Sequence, residues 1–286
     1  MEAQRQLGWH VTDGGGGGNF FRTALTGWKA DILHLHWLHP YLLRDSRYSS
    51  WLRGTRFLME IAALKIAGTK IVWTVHNLGN HDQRHSDIEL SLTSWFTKQC
   101  DLIFAHGTFA ALAARKKFGI PTQTKVLTVR HPNYCSDCYL QKTKSAARRE
   151  LNLSSDSFIY CFLGRVQPYK QVVELVRGFR EVARQNQLLI IAGKAASDEY
   201  AKSVEGEIDN DPRITFLNEY IAEERLQTYA TAADIMVCPS RGILTSGSVI
   251  LAMSLGRPAI APNEGCIPEE LGDAGFLYDE TETQGL

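Results

Sequence analysis

The chain has 286 residues, 44% hydrophobic, 22% charged and 10% aromatic, a make-up that excludes a disordered, collagen-like or small disulfide-scaffold protein. Its 31 Lys and Arg balance 31 Asp and Glu, so no global field gathers nucleic acid and any bound anion must be held by a local site. No apolar run reaches the roughly 18 residues of a membrane span, and the first residues lack the apolar stretch of a secretory signal.

Along the chain, Gly14–Gly18 comes first and reads as a flexible linker, because five successive glycines lose much backbone entropy on ordering. Strands are expected at Ile32–His36, Ile71–His76, Leu102–His106 and Val126–Arg130. A second set is expected at Phe158–Leu163, Leu188–Ala192, Ile214–Leu217, Ile235–Cys238 and Ala259–Pro262. These near-continuous apolar runs suit strands covered on both faces, as in parallel sheets. Between them, Val172, Leu175, Val176, Phe179 and Ala183 make one helical stripe, and Leu226, Tyr229, Ala230 and Ala233 another. Strand and helix in alternation mean an α/β protein with right-handed crossovers. The polar stretch 131–157, with a short helix around Ala146–Leu151, divides two doubly wound domains at about 1–135 and 150–286.

Trp37–Gly68 interleaves Trp37, Tyr41, Trp51 and Phe57 with Arg44, Arg47, Arg53 and Arg56. That mixture suits peripheral contact with an anionic bilayer or a lipid diphosphate; a helix with one core face and one solvated face is the other reading. Cys135 and Cys138 form the one close cysteine pair, and no second pair at metal-finger spacing completes four ligands, so no metal is expected. The remaining cysteines are dispersed, with Cys161 and Cys238 inside apolar runs, which fits a reducing, cytoplasmic setting.

Ligands of open parallel sheets sit beyond the carboxyl ends of the strands. In the first domain those ends deliver histidine repeatedly: His34, His36 and His39, then His76, His106 and His131, with His81, Asp82 and His85 in the loop after Asn77. In the second, Gly164-Arg165 follows a strand, and Pro168 pre-sets a helix entry beside Lys170. Arg165 and Lys170 can point at an anion in front of that helix. Thr245, Ser246, Gly247 and Ser248 then place hydroxyls and free amides at the start of a helix expected at Val249–Leu255. Two positive helix ends with two cations make a diphosphate seat.

Four pieces, Phe162–Lys170, Leu189–Gly193, Leu226–Ser240 and Ala252–Ala261, follow in the order seen in GT-B glycosyltransferases and resemble family 4, the group 1 type. Asp31–Trp37, Trp73–Asn77 and Arg130–Tyr134 resemble its bacterial polysaccharide-related branch. The resemblance spans about residues 28–280. It implies two Rossmann-like domains facing a cleft, and metal-independent sugar transfer from a UDP- or GDP-sugar to a glycan or lipid-linked acceptor, with no cofactor. It implies Arg165 and Lys170 on the donor diphosphate, with the amides of Ser246, Gly247 and Ser248. Asn218 and Tyr220 lie near the base, Glu264 and Gly265 near the sugar, and His76, with Asp82, acts at the sugar or as acceptor base.

The family's paired glutamates fall here on Ile243 and Leu251, leaving Glu264 as the substitute carboxylate. Gln6–Thr12 reads as the end of the family's first helix and its second strand, so the chain reads as shortened at both ends. A non-catalytic nucleotide-sugar-binding or partner protein, or a nucleotide-sugar epimerase, are the alternatives. Function is expected at the inner face of a membrane.

Overall fold

The computed structural model describes residues 5–12, 30–80, 84–134 and 142–279. The chain divides into two compact units, the first of residues 1–105 and 111–128, the second of residues 106–110 and 129–286.

In the first unit, β1 (Ile32–Leu35), β2 (Lys70–Val75), β3 (Leu102–Ala105) and β4 (Lys125–Thr128) form a parallel sheet in that order. Its helices are α1 (His39–Leu42), α2 (Arg47–Ile66), α3 (Ser86–Thr97) and, from residue 111 on, α4 (Thr108–Phe118), whose first turn belongs to the second unit. All of β2 after Lys70 is buried, the continuous apolar burial expected of a strand sandwiched between helix layers. Helix α2 starts where Ser46, in extended conformation, accepts the Ser49 amide on its hydroxyl. It packs Phe57, Ile61 and Leu64 inward.

The second unit contains α5 (Lys144–Glu150), β5 (Phe158–Leu163), α6 (Val172–Val182), β6 (Gln187–Ala192), α7 (Asp198–Ile208) and β7 (Ile214–Leu217). Next come α8 (Glu223–Ala232), β8 (Ile235–Val237), α9 (Gly247–Ser254), β9 (Ala259–Pro262), α10 (Ile267–Leu271) and β10 (Gly275–Tyr278). Six parallel strands lie in the order β10-β9-β8-β5-β6-β7. Strand period sorts β5 into two cores. Ile159, Cys161 and Leu163 join Tyr229, Ala230, Val249, Ala252 and Ile267 on one face. Phe162 joins Val172, Leu175, Val176, Phe179 and Val204 on the other.

The carboxylate of Asp234 pins α5 to this sheet. It accepts the Ile159 amide at 2.7 Å and the guanidinium of buried Arg148 at 2.6 Å, with Lys144 on its other oxygen. Three expectations change. Residues 9–12 form no strand. The last helix of the motif set begins at Gly247, two residues early, because the Ser246 hydroxyl caps it by accepting the Val249 amide. Strand β10 went unforeseen: Phe276 and Leu277 are exposed on a sheet edge, so the run carries no buried-strand pattern.

Candidate functional site

Two groups of predicted site residues occupy the carboxyl ends of the two sheets, one in each unit. In the second unit, β5 ends at Gly164, and the chain runs through Arg165 into a single 3-10 turn, Pro168–Lys170. Gln171, left-handed at φ 50°, redirects it into α6. The turn after β5 touches the turn after β6. A Cβ on Gly193 would lie 1.8 Å from the Gly164 carbonyl oxygen, so only glycine permits that approach. Asn218 serves the same scaffold, its Oδ1 accepting the Ala195 amide at 2.9 Å.

The turn bearing Arg165 and Lys170 and the loop before α9 are joined by one backbone bond, from the Arg241 amide to the Tyr169 carbonyl at 2.8 Å. Arg165 is exposed. Lys170 is half-buried, with Nζ 5.3 Å from the Tyr169 ring centre, and burial lowers its pKa below the usual lysine value. Ser246 is buried and committed to capping, Gly247 is exposed, and Thr245 and Ser248 flank them half-buried.

Glu264 lies against the same loop, with Oε2 accepting the Gly242 amide at 2.9 Å. Gly265, at φ 59°, lets the chain pass the carbonyls of Ile243 and Leu244, which a Cβ would meet at 2.6 Å. Ile243 is buried and Leu251 packs against the core, so neither reaches the loop surface as a polar group. Tyr220 is exposed, and beside it Glu219 pairs with Arg225 at 2.6 Å.

The sequence did not single out Glu270. Both its carboxylate oxygens are buried and make no hydrogen bond of ordinary geometry among the described residues, the Ser246 amide being only a loose neighbour. Burial raises its pKa to about 7; Glu269 adds to the rise and the Ser246 amide opposes it.

In the first unit, the ends of β1 and β2 bring His34, His36, Trp37 and His76 into one stack. Ring centres are 4.5 Å apart for His34 and His36, 5.1 Å for His36 and His76, and 4.5 Å for Trp37 and His76. Nδ1 of His36 and Nε2 of His76 lie 2.8 Å apart and share one proton. The Trp73 indole donates to the His36 carbonyl at 2.9 Å, and Nε2 of His34 lies 2.8 Å from the Thr74 hydroxyl. Burial lowers the pKa of His34 to about 4, helped by His36, and lowers that of His36 as well. Both shifts favour the neutral imidazoles of His34 and His36.

His36, Trp37, Trp73, His76 and Asn77 line a narrow pocket. His106 and His131 instead meet at a tilt in the second unit, ring centres 5.0 Å apart, and His85 bonds the Asp45 carbonyl. Asp82, His81, Cys135, Cys138 and Gly14–Gly18 lie outside the described residues. Among the described residues, no group of three or more His, Cys, Asp or Glu is placed to hold a metal.

Residues 157–286 match the family described as glycosyl transferases group 1. They form a group 1 glycosyltransferase domain. Over 260 residues the chain is 28% identical to a GDP-mannose:glycolipid 4-beta-D-mannosyltransferase of Xanthomonas campestris pv. campestris, covering 88% of this chain and 68% of that enzyme. The fold is that of Anabaena Alr3699/HepE solved with UDP, at TM-score 0.72 and 18% identity over 93% of this chain and 69% of the other. It is also that of sucrose-phosphate synthase from Thermosynechococcus elongatus, at TM-score 0.70 and 20% identity, where this chain spans 64% of the other's length. Both strand-end groups thus belong to a GT-B glycosyltransferase fold.

Proposed function

We propose that this glycosyltransferase moves a hexosyl group from a UDP- or GDP-sugar to the hydroxyl of a glycan or lipid-linked acceptor, without metal or cofactor. The observation that carries the reading is the Arg241-to-Tyr169 backbone bond, which holds the Arg165–Lys170 turn beside the amino end of α9 within the matched domain. The glycolipid that the Xanthomonas relative is named for supports the acceptor class.

In the reaction, the bond between the sugar's anomeric carbon and the diphosphate oxygen breaks, and the carbon bonds the acceptor oxygen. The negative charge that develops on the departing diphosphate meets Arg165, Lys170 and the amides of Ser246, Gly247 and Ser248, with Thr245 alongside. Burial works against the charge of Lys170, and a phosphate beside it offsets that cost with a charge-assisted contact. Asn218 and Tyr220 take the base side, and Glu264 and Gly265 the sugar side.

The acceptor's proton goes to His76, which is oriented through the proton shared with His36. Asp82 assists it. The work is done in the cytoplasm at the inner membrane face, through peripheral contact of Trp37–Gly68, which free buried Cys100, Cys161, Cys238 and Cys266 support as a reducing setting.

Calorimetric titration of UDP and GDP into wild type, Arg165→Ala and Lys170→Ala is the test, beside an assay that separates sugar transfer from donor hydrolysis. Each variant should lose about 10–150-fold in nucleotide affinity. Equal binding by all three proteins would remove the diphosphate seat. Tight binding without transfer to any acceptor would favour a nucleotide-sugar-binding protein instead.

A further inference from the structure

Helix α2 carries two apolar faces. One is spent on the core, through Phe57, Ile61 and Leu64. On the opposite side Tyr48, Leu52, Met59 and Ile66 are 80%, 63%, 54% and 89% exposed, with Trp51 beside them. At 100° per residue these fall within one narrow stripe that also holds exposed Thr55 and Ala62 and no charge. Its length is about 27 Å at 1.5 Å per residue. An exposed apolar stripe of that length has no purpose in the core of this unit.

Arginines border one side of the stripe at its amino end. Arg44, Asp45, Ser46, Ser49, Leu52, Arg53 and Arg56 line an open pocket of about 500 Å³. Arg53 is held rigidly there, its Nε and Nη2 donating to the Pro40 carbonyl at 3.1 and 2.9 Å. Arg56 pairs with Glu60 at 2.9 Å, and Arg84 pairs with Asp45 at 2.8 Å. The Arg44 guanidinium makes no hydrogen bond or ion pair with the described residues, and Arg44 and Arg56 crowd Arg53 with like charge. Three arginines and one carboxylate, Asp45, thus line the pocket, an excess of two positive charges. Guanidinium groups at that excess match a diphosphate, and the stripe that leaves the pocket matches a hydrocarbon chain.

We propose that the amino end of α2 seats a lipid diphosphate, its phosphates on Arg44, Arg53 and Arg56 and its hydrocarbon along Tyr48, Leu52 and Met59. The proposal rests on the glycosyl-transfer reading and adds the place and chemistry of a lipid-linked acceptor. It would let a long lipid leave the bilayer only as far as the stripe while its phosphates anchor in the protein.

The test is calorimetric titration of farnesyl diphosphate, inorganic diphosphate and farnesol, with the donor seat saturated by UDP, into wild type, Arg44→Ala and Leu52→Asp. Both positions are exposed at this surface, and circular dichroism would confirm that the variants are folded. Wild type should bind farnesyl diphosphate at least about 10-fold more tightly than either fragment, and each variant should lose about 10–100-fold while binding UDP as wild type does. Unchanged binding in both variants would overturn the proposal, and so would equal affinity for inorganic diphosphate, which marks a plain anion site.

Two further measurements cover the other occupants. Flotation with phosphatidylcholine vesicles should be weak, and should strengthen more with added lipid diphosphate than with the same charge of phosphatidylglycerol. Equal strengthening would mean general bilayer contact and overturn the site. Sedimentation showing a dimer that Leu52→Asp dissolves would assign the stripe to a second copy and overturn it too. Absence of UDP binding with farnesyl diphosphate binding intact would count against the donor seat alone.

Discussion

The two units build their strand ends from different materials. In the second, backbone does most of the shaping: glycines at 193 and 265 let turns touch, and the Arg241 amide ties the loop before α9 to the Tyr169 carbonyl. In the first, side chains do it, as three imidazoles and an indole stack on one another across β1 and β2. A site made of amides and fixed charges suits a ligand whose charge never changes, such as a diphosphate. A site made of neutral imidazoles suits a proton in transit.

That contrast breaks most sharply at His76. His76→Asn should lower turnover by about 10²–10⁴ while leaving UDP affinity within about twofold, since the nucleotide seat is in the other unit. Retained turnover with a lowered melting temperature would make the stack structural and erase the contrast. His36→Asn, which keeps a polar partner, should cause a smaller loss and displace the acid limb of the pH–rate profile.

The second unit's dependence on backbone predicts that Gly193→Ala costs about 3 kcal/mol or more in unfolding free energy, because the Gly164 carbonyl lies where the new methyl must go. A denaturant titration showing less than about 1 kcal/mol would mean that the paired turns give way easily.

The smaller effects concern pH, and the two units should respond with opposite sign. Glu270 is raised from 4.5 to about 7, so the native state binds its proton more tightly than the unfolded chain does. Its contribution is complete below pH 4.5 and is lost as pH rises through 7. Glu270→Gln should therefore match wild type near pH 4.5 and exceed it at pH 8 by about 1–2 kcal/mol. His34 is lowered from 6.5 to about 4, so its contribution is present above pH 6.5 and is lost as pH falls through 4. His34→Gln should flatten the decline in melting temperature between those values. A decline as steep as in wild type would place the acid sensitivity elsewhere.

The same contrast explains what could be read from residues alone. Strands β5, β6, β7 and β9 and the inward stripe of α6 were legible, because each is a continuous or periodic apolar pattern. The pieces around Arg165, Lys170 and Ser246 were legible because backbone-built sites need particular residues at short fixed spacing. The imidazole stack was visible only as a surplus of histidine. His36 and His76 are forty residues apart, and their shared proton depends on the parallel register of Leu35 with Trp73. Nothing in the run Ile267–Leu271 distinguishes the carboxylate of Glu270, which is left unpartnered, from that of Glu269, which accepts the Thr108 and Phe109 amides at 2.8 Å. The pocket around Arg44 depends on how α1 turns into α2, which spacing does not specify.

The ion pair of Arg148 with Asp234 bears on how the second unit comes apart. Peeling α5 away would carry off Arg148 and Lys144 and leave the half-buried Asp234 carboxylate with the Ile159 amide at the start of β5 but no cation. Local fraying of residues 144–150 is thereby coupled to opening of the central strands. Their amide protons should exchange with solvent only when the whole sheet opens, so this short helix at the entrance of the unit behaves as part of its most slowly opening layer.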